Sequence, residues 1–365
     1  MFSGLTARLE SEVKELKGVL ETHNLLRTLL YSGDGISTSS PQAANAPQEA
    51  SSTSTASIHR EDAVWKKLRD RQPSKAAWQV YDHCAAFTRL YALYEHFVID
   101  LASEFLRKLP SLYSTYQELP ASVRTQHRLG AGQIMLKLGK DGPYKEHNEE
   151  RIIKLFSHGL SGQQGYSLLE DAFFIDPQNY RSEIIVKIFS YLGFDGCWTW
   201  VQNHPAIAQF MEKARDEHDT PERVLSDFIE YRNEAAHSSV DNIVALSDLL
   251  SAADFVVALG KALAELVSKQ VVRRQIELGQ LESIGTVIHN FKDTIVGSKM
   301  KPVVIAIGDS VVAVGKQTCC TVNIDAIHTG KVVHEKIQLA ADQEIGLKLS
   351  RRIKKGTEIY RYRMS

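Results

Sequence analysis

Arg232-Asn233-Glu234-Ala235-Ala236-His237 places a fixed cation, an amide and a titratable imidazole in one short stretch. An imidazole with an ordinary pKa of about 6.5 suits proton transfer near neutrality. A guanidinium, permanently charged and forked, suits phosphate oxygens. Together these groups are equipment for handling a phosphodiester. An Arg/His pair at this spacing is expected by chance in a chain of 365 residues with 13 histidines, so the elements around it must carry the argument.

Those elements read as helix. Thr220-Pro221 offers an N-cap followed by proline at the first helical position, and Val224, Leu225, Phe228 and Ile229 form an apolar stripe, which predicts a helix over Pro221–His237. On it Asn233 and His237 stand four apart on one face, while Arg232 must swing its long side chain round to join them. Ser238-Ser239 is expected to cap the next helix.

Further helices are predicted for Leu5–Leu30, with a Leu9, Val13, Leu16, Leu20 stripe, and for Ala76–Leu109, ended by Pro110. Others are predicted for Pro120–Leu138, Glu149–His158, Arg181–Leu192, Pro205–Arg215 and Val240–Ser268. The first is expected to pack on its own domain rather than zip to a partner, since barely two heptads are present. Ser32 to Ser57, almost without large apolar residues, predicts a flexible insertion. After Pro302 the period changes from 3.6 to 2, and about six short strands are expected in a small barrel. The resulting plan is an N-terminal amphipathic helix (1–31), a Ser/Thr/Ala-rich linker (32–58), a helical domain (59–297) and a basic β-barrel (298–365). The fold class is mainly α with a small all-β domain.

Net charge is −1, yet from Lys299 onward twelve Lys/Arg face six Asp/Glu, so the C-terminal part is a separate, basic unit. Within it Arg351, Arg352, Lys354 and Lys355, interleaved with Tyr360 and Tyr362, are candidates for RNA phosphates and bases. Cys84, Cys197, Cys319 and Cys320 suit neither a disulfide framework nor a zinc site. With no signal-like or spanning apolar run, a cytoplasmic protein without membrane contact is expected. No metal or cofactor is implied. Gly130-Ala131-Gly132 as a phosphate cradle, Asp216/His218/Asp219 as a metal site and Tyr91/Tyr94 as base-stacking groups are weaker candidates than ordinary packing or capping roles.

The segment DFIEYRNEAAH resembles the RNxxAH form of the signature of the HEPN superfamily, all-helical domains many of which are metal-independent RNases of toxin–antitoxin and defence systems. LYALYEHFVIDL (Leu90 to Leu101) resembles the first core helix of that family, and NYRSEIIVKIFSYLGF (Asn179 to Phe194) the element before its motif helix. Ser238, where many relatives have Gly, and the Ser-rich insertion depart from the pattern. The resemblance implies a HEPN-like antiparallel helical bundle. It also implies an endoribonuclease with Arg232 as phosphate clamp, His237 as general base or acid, Asn233 as orienting group and Glu95 as a supporting residue. A homodimer with a composite site is implied too, with RNA as substrate and an antitoxin or trigger protein as partner. EIGLKLSRRIKKGTEIYRYR (Glu344 to Arg363) resembles the closing strands of the second domain of translation GTPases. The competing expectations are a non-catalytic HEPN module that binds RNA, nucleotide or a protein, and a pure oligomerisation scaffold.

Overall fold

The computed structural model describes residues 2–31, 63–139, 144, 147–162, 165–175, 179–213, 219–237, 242–292 and 294–363. The Ser-rich stretch expected as a linker lies outside these residues, as does Ser238-Ser239. The helices are α1 (Ser3–Tyr31), α2 (63–71), α3 (Lys75–Leu112), α4 (Ala121–Leu136), α5 (Glu149–Leu160), α6 (Ser182–Tyr191), α7 (Cys197–Gln202), α8 (Pro205–Met211), α9 (Pro221–His237) and α10 (Leu246–Glu277). Strands β1 (Leu281–Asn290), β2 (Ile295–Met300), β3 (Val303–Ala306), β4 (Ser310–Val314), β5 (Cys319–Thr329), β6 (Val332–His334), β7 (Lys336–Leu339), β8 (Gln343–Leu349) and β9 (Glu358–Tyr362) follow.

The helical core is built on α3, which packs against α1, α9 and α10. The α1 stripe buries Leu9, Val13 and Leu20 in the same core as Phe97 and Leu101 of α3 and Leu259 and Leu263 of α10. The helix therefore belongs to its own domain. Gly260 eases the close approach: a Cβ there would lie 2.5 Å from Leu9 Cδ2, so the Leu9 side chain would have to shift. At the far end Asp82 of α3 is buried and holds Arg27 at 2.9 Å and His23 at 2.7 Å.

Ser74 caps α3 by accepting from the Ala77 N–H at 3.1 Å. Pro110 does not end this helix, contrary to expectation; α3 runs one turn further, to Leu112. A proline near a C-terminus removes one i→i−4 hydrogen bond; beyond it Leu112 is buried and the Tyr113 N–H still bonds the Leu109 carbonyl at 2.9 Å. Gly130 and Gly132 lie inside α4 rather than in a phosphate-binding turn. A Cβ at Gly130 would come within 2.1 Å of the Ala172 carbonyl oxygen, so this glycine serves close packing against the 3-10 turn Glu170–Phe173.

The helix–strand boundary corrects the expected one at 297/298. α10 continues to Glu277, Gly279 turns the chain at φ +70°, and β1 starts at Leu281. Two register irregularities in β1, at 283/285 and 287/289, break the period-2 pattern that would have announced a strand. Six antiparallel strands close into a barrel in the order β4-β9-β1-β2-β8-β5, with β5 returning to β4. Its strand count matches expectation but its membership does not: β1 and β2 enter the barrel, while β3 pairs with β7 outside it and β6 only extends β5. Ile284, Val287, Val296, Val322, Leu347 and Ile359 fill the interior.

Barrel and helices meet along the last turns of α10. Val272 packs with Leu281, Val312, Cys319 and Tyr360. Lys269 Nζ donates to the Gly315 and Lys316 carbonyls at 2.9 and 2.7 Å, below the Trp200 ring. Buried Glu265 accepts from the Cys319 N–H at 3.1 Å and pairs with Arg351 at 2.5 Å, with His204 Nε2 at 3.3 Å. Burial alone would raise the Glu265 carboxyl; His204, Arg351 and the Cys319 N–H outweigh it and hold it below the usual range.

Two outcomes follow. Arg351→Ala leaves Glu265 short of its cation and is expected to cost about 1–3 kcal/mol, less than the ~3–5 of a fully buried pair because the Arg351 side chain is 41% exposed. Exposed Lys354→Ala should stay within about 0.5 kcal/mol. Urea titration of both variants distinguishes them, and equal midpoints would remove Arg351 from the joint. The second outcome concerns fully buried His127, which accepts from the Leu169 N–H at 3.0 Å through Nε2 and meets the Tyr116 hydroxyl at 3.1 Å through Nδ1. Burial lowers its pKa from 6.5 to about 4. The unfolded chain therefore binds a proton that the folded chain refuses. Stability is complete above the unfolded value and is lost by on the order of 3 kcal/mol as pH falls from 6.5 to about 4. His127→Gln should flatten that slope in urea midpoints measured across the window; an unchanged slope would assign the acid loss to other groups.

Candidate functional site

α9 is seated on α3 by aromatic packing. The Phe228 ring lies 6.1–6.2 Å from the rings of Phe87, Tyr91 and Tyr94, and Tyr231 lies 5.1 Å from Phe87. Thr220 starts α9 as expected by accepting from the Arg223 N–H at 3.3 Å, and Leu225, Phe228 and Ile229 are its buried stripe. This docking decides where the polar end of the helix goes. It brings half-buried Arg232 over the ring of Tyr91, with the guanidinium carbon 4.1 Å from the ring centroid. Arg232 Nη1 donates to Asn233 Oδ1 at 3.0 Å and to Asn179 Oδ1 at 3.3 Å.

Three separate stretches thus converge on one guanidinium. Asn233 orients Arg232 directly. Glu95 stands one turn beyond Tyr91 on α3 and is half-buried; burial raises its carboxyl above the usual range, while Arg232 and His96 pull it back. Glu95 is therefore within electrostatic reach of Arg232, and among the described residues it makes no hydrogen bond to it. His237 is the last residue of α9, one turn after Asn233. The orientation of its side chain lies outside the described part of the structure.

Asn179 is the contact that motif spacing does not reveal. It lies 53 positions before Arg232 and comes to it only because α6 and α9 pack together. Its one sequence signal is its place at the head of the family-like stretch Asn179 to Phe194. Tyr94, weighed as a base-stacking group, is a core residue, 1% exposed.

The basic C-terminal residues divide. Arg351 is committed to Glu265, which takes it out of a purely solvent-facing RNA surface. Arg352, Lys354 and Lys355 are exposed. Arg351, Arg352 and Lys354 line a cavity of about 1010 Å³ between the barrel and α1, α8 and α10, and on its helical wall Lys261 pairs with Glu10 at 2.8 Å. Tyr360 cannot stack on a base, being 9% exposed in the joint, whereas Tyr362 is exposed and donates to Gln275 Oε1 at 3.3 Å.

Asp216 and His218, weighed as metal ligands, lie outside the described residues, and among the described residues no cluster of three or more His, Cys, Asp or Glu has metal-binding proximity. The four cysteines are free thiols. No helix among the described residues is long and apolar enough to cross a membrane.

No curated protein matches this chain at a significant level. The family model described as HEPN_MAE_28990-like HEPN matches residues 8–276, which run from the second turn of α1 to the last turn of α10 and stop before the barrel. With nearly three-quarters of its length under that model, and with the helical bundle that the model implies, the chain belongs to the HEPN_MAE_28990-like HEPN family.

Proposed function

We propose that the chain is a metal-independent endoribonuclease whose centre is Arg232, Asn233 and His237. The observation that carries this is the Arg232 guanidinium, held by Tyr91, Asn179 and Asn233 at the end of the helix that His237 terminates. A surface arginine that merely complements a helix dipole needs no such cradle.

In the proposed reaction the ribose 2′-oxygen attacks the adjacent phosphorus and the P–O5′ bond breaks. The 2′-proton goes to a base and the leaving 5′-oxygen receives a proton from an acid. The products carry a 2′,3′-cyclic phosphate and a 5′-hydroxyl. Arg232 neutralises the charge that builds on the equatorial phosphate oxygens. His237 performs a proton transfer, each such transfer contributing about 10²–10⁴-fold. A single imidazole per chain supplies one of the two transfers, so two chains facing their α9 ends across a shared cleft would supply both. A homodimer is part of the proposal.

The barrel, basic at exposed Arg352, Lys354 and Lys355 and resembling in its last strands the second domain of translation GTPases, would hold the RNA or a ribosomal component. The biological setting proposed is a toxin or antiviral effector in the cytoplasm, restrained by an antitoxin or released by a trigger protein.

Incubation of purified protein with labelled RNA in EDTA tests this. Wild type should yield cyclic-phosphate ends, and His237→Ala and Arg232→Ala should each lower the rate by about 10²-fold or more. Equal cleavage by all three proteins would place the chemistry elsewhere. RNA binding without cleavage would make the module a binding domain. Light scattering alongside the assay checks the dimer: full activity from a strictly monomeric chain would remove the composite site.

A further inference from the structure

Arg232 is fixed by more than its own contacts. Its cradle has a second layer, and both layers start from one residue. The Tyr91 ring is 3% exposed, and the guanidinium lies over its face at 4.1 Å, well inside the distance at which a cation is attracted to an aromatic ring. The same residue's hydroxyl accepts a hydrogen bond from the Tyr180 N–H at 3.1 Å. One turn along α3, the Tyr94 hydroxyl donates to the Tyr180 carbonyl at 2.8 Å. Tyr180 is thereby clamped at both ends of its backbone. Its neighbour Asn179 has φ +42°, in the left-handed region that asparagine enters more readily than other residues bearing a Cβ. That turn is what presents Asn179 Oδ1 to Arg232.

We infer that Tyr91 is the positioning residue of the site: its ring face sets the plane of the Arg232 guanidinium, and its hydroxyl sets the turn whose Asn179 takes up Nη1. This rests on the assignment of Arg232 as the phosphate-binding cation. The geometry also says which part of the cation does the binding. Both Nη1 hydrogens are engaged, by Asn179 and Asn233, and one face of the plane is covered. The Nε–Nη2 edge has no partner among the described residues. That edge is a two-pronged donor matching a pair of phosphate oxygens, so Arg232, as the phosphate-binding cation, would grip the phosphodiester in bidentate fashion. Lysine, with the same charge and no fork, could not replace Arg232.

In the cavity at the barrel joint Arg351 is offset by Glu265 and Lys261 by Glu10, and the groove lined by Met135, Ile153 and Leu160 is apolar.

The test uses the full chain and two independent readouts. In ¹⁵N NMR the Arg232 Nε–Hε resonance, assigned by its disappearance in Arg232→Lys, should be displaced by the Tyr91 ring current in wild type and in Tyr91→Phe. It should return to the envelope of exposed arginines in Tyr91→Leu. In the RNA assay, Tyr91→Leu should lower kcat by about 10- to 100-fold, the loss expected when a reacting group is misplaced by about an ångström. Tyr91→Phe keeps the ring face and frees only the turn, and Asn179→Gly removes the Nη1 contact while tolerating the φ of +42° at that position; each should give a smaller fall in kcat. Because the phosphate-binding edge itself remains, KM should move little in all three.

A core residue with no positioning role would shift the melting temperature and leave kcat per folded molecule unchanged, as well as the Arg232 resonance in Tyr91→Leu; that result overturns the inference. If Arg232→Lys cleaves as fast as wild type, the assignment of Arg232 fails instead, and the resonance still decides whether Tyr91 holds the guanidinium.

Discussion

Everything about the site depends on the burial of one aromatic face of α3. Phe87, Tyr91 and Tyr94 take the Phe228 side of α9, and further along the same helix Phe97 and Leu101 take α1 and α10. Each such side chain contributes about 1.5–3 kcal/mol on burial, whereas a cation over a ring contributes about 0.5–2. The packing therefore dictates where α9 lies, and Arg232 takes the environment that the packing leaves it. The polar groups do not assemble the site; they are delivered to it by apolar contacts made on the other face of the same helix.

The same logic explains why the cradle is drawn from distant parts of the chain. Asn233 is local to Arg232, but Tyr91 belongs to α3 and Asn179 to the approach to α6. A guanidinium on a long flexible stem carries about 2 kcal/mol of rotamer entropy. Holding it from one helix alone would leave that freedom largely intact. A stacked ring on one face and two amide oxygens at one nitrogen restrict it without neutralising it, since neither amide carries charge. The guanidinium is thereby oriented by one ring face and two uncharged amides.

α10 does for the two domains what α3 does for the helices. Its middle lies in the helical core, its last turns lie against the barrel, and Glu265 and Lys269 spend their charges on barrel groups: an arginine and an N–H for one, two carbonyls for the other. Arg351 shows how position overrides composition. It sits in a basic run and looks like its neighbours, yet the fold uses it to offset a buried carboxylate, while Arg352, Lys354 and Lys355 remain at the surface. A basic run in a sequence is a statement about charge, not about where each charge points.

Local physics was legible from residue types alone. The cap and first turn of α9, its buried stripe, the stripe of α1 and the all-β character of the chain after Pro302 are properties of neighbours in sequence, and the three ordered HEPN-like segments lie within the family-matched region. Three things were not legible, each because it depends on residues far apart. β1 was hidden by two bulges that make sense only against β2 and β9. The onward run of α3 past Pro110 goes with burial of Leu112 in the core, beside the Tyr113 N–H hydrogen bond to the Leu109 carbonyl. Asn179 reaches Arg232 only when α6 and α9 pack together, a contact across 53 positions that no periodicity encodes. Sequence by itself determined which groups the helix end would carry, because helix formation and capping are short-range. Tertiary structure alone decided which groups would hold them, because burial of apolar surface is indifferent to separation along the chain.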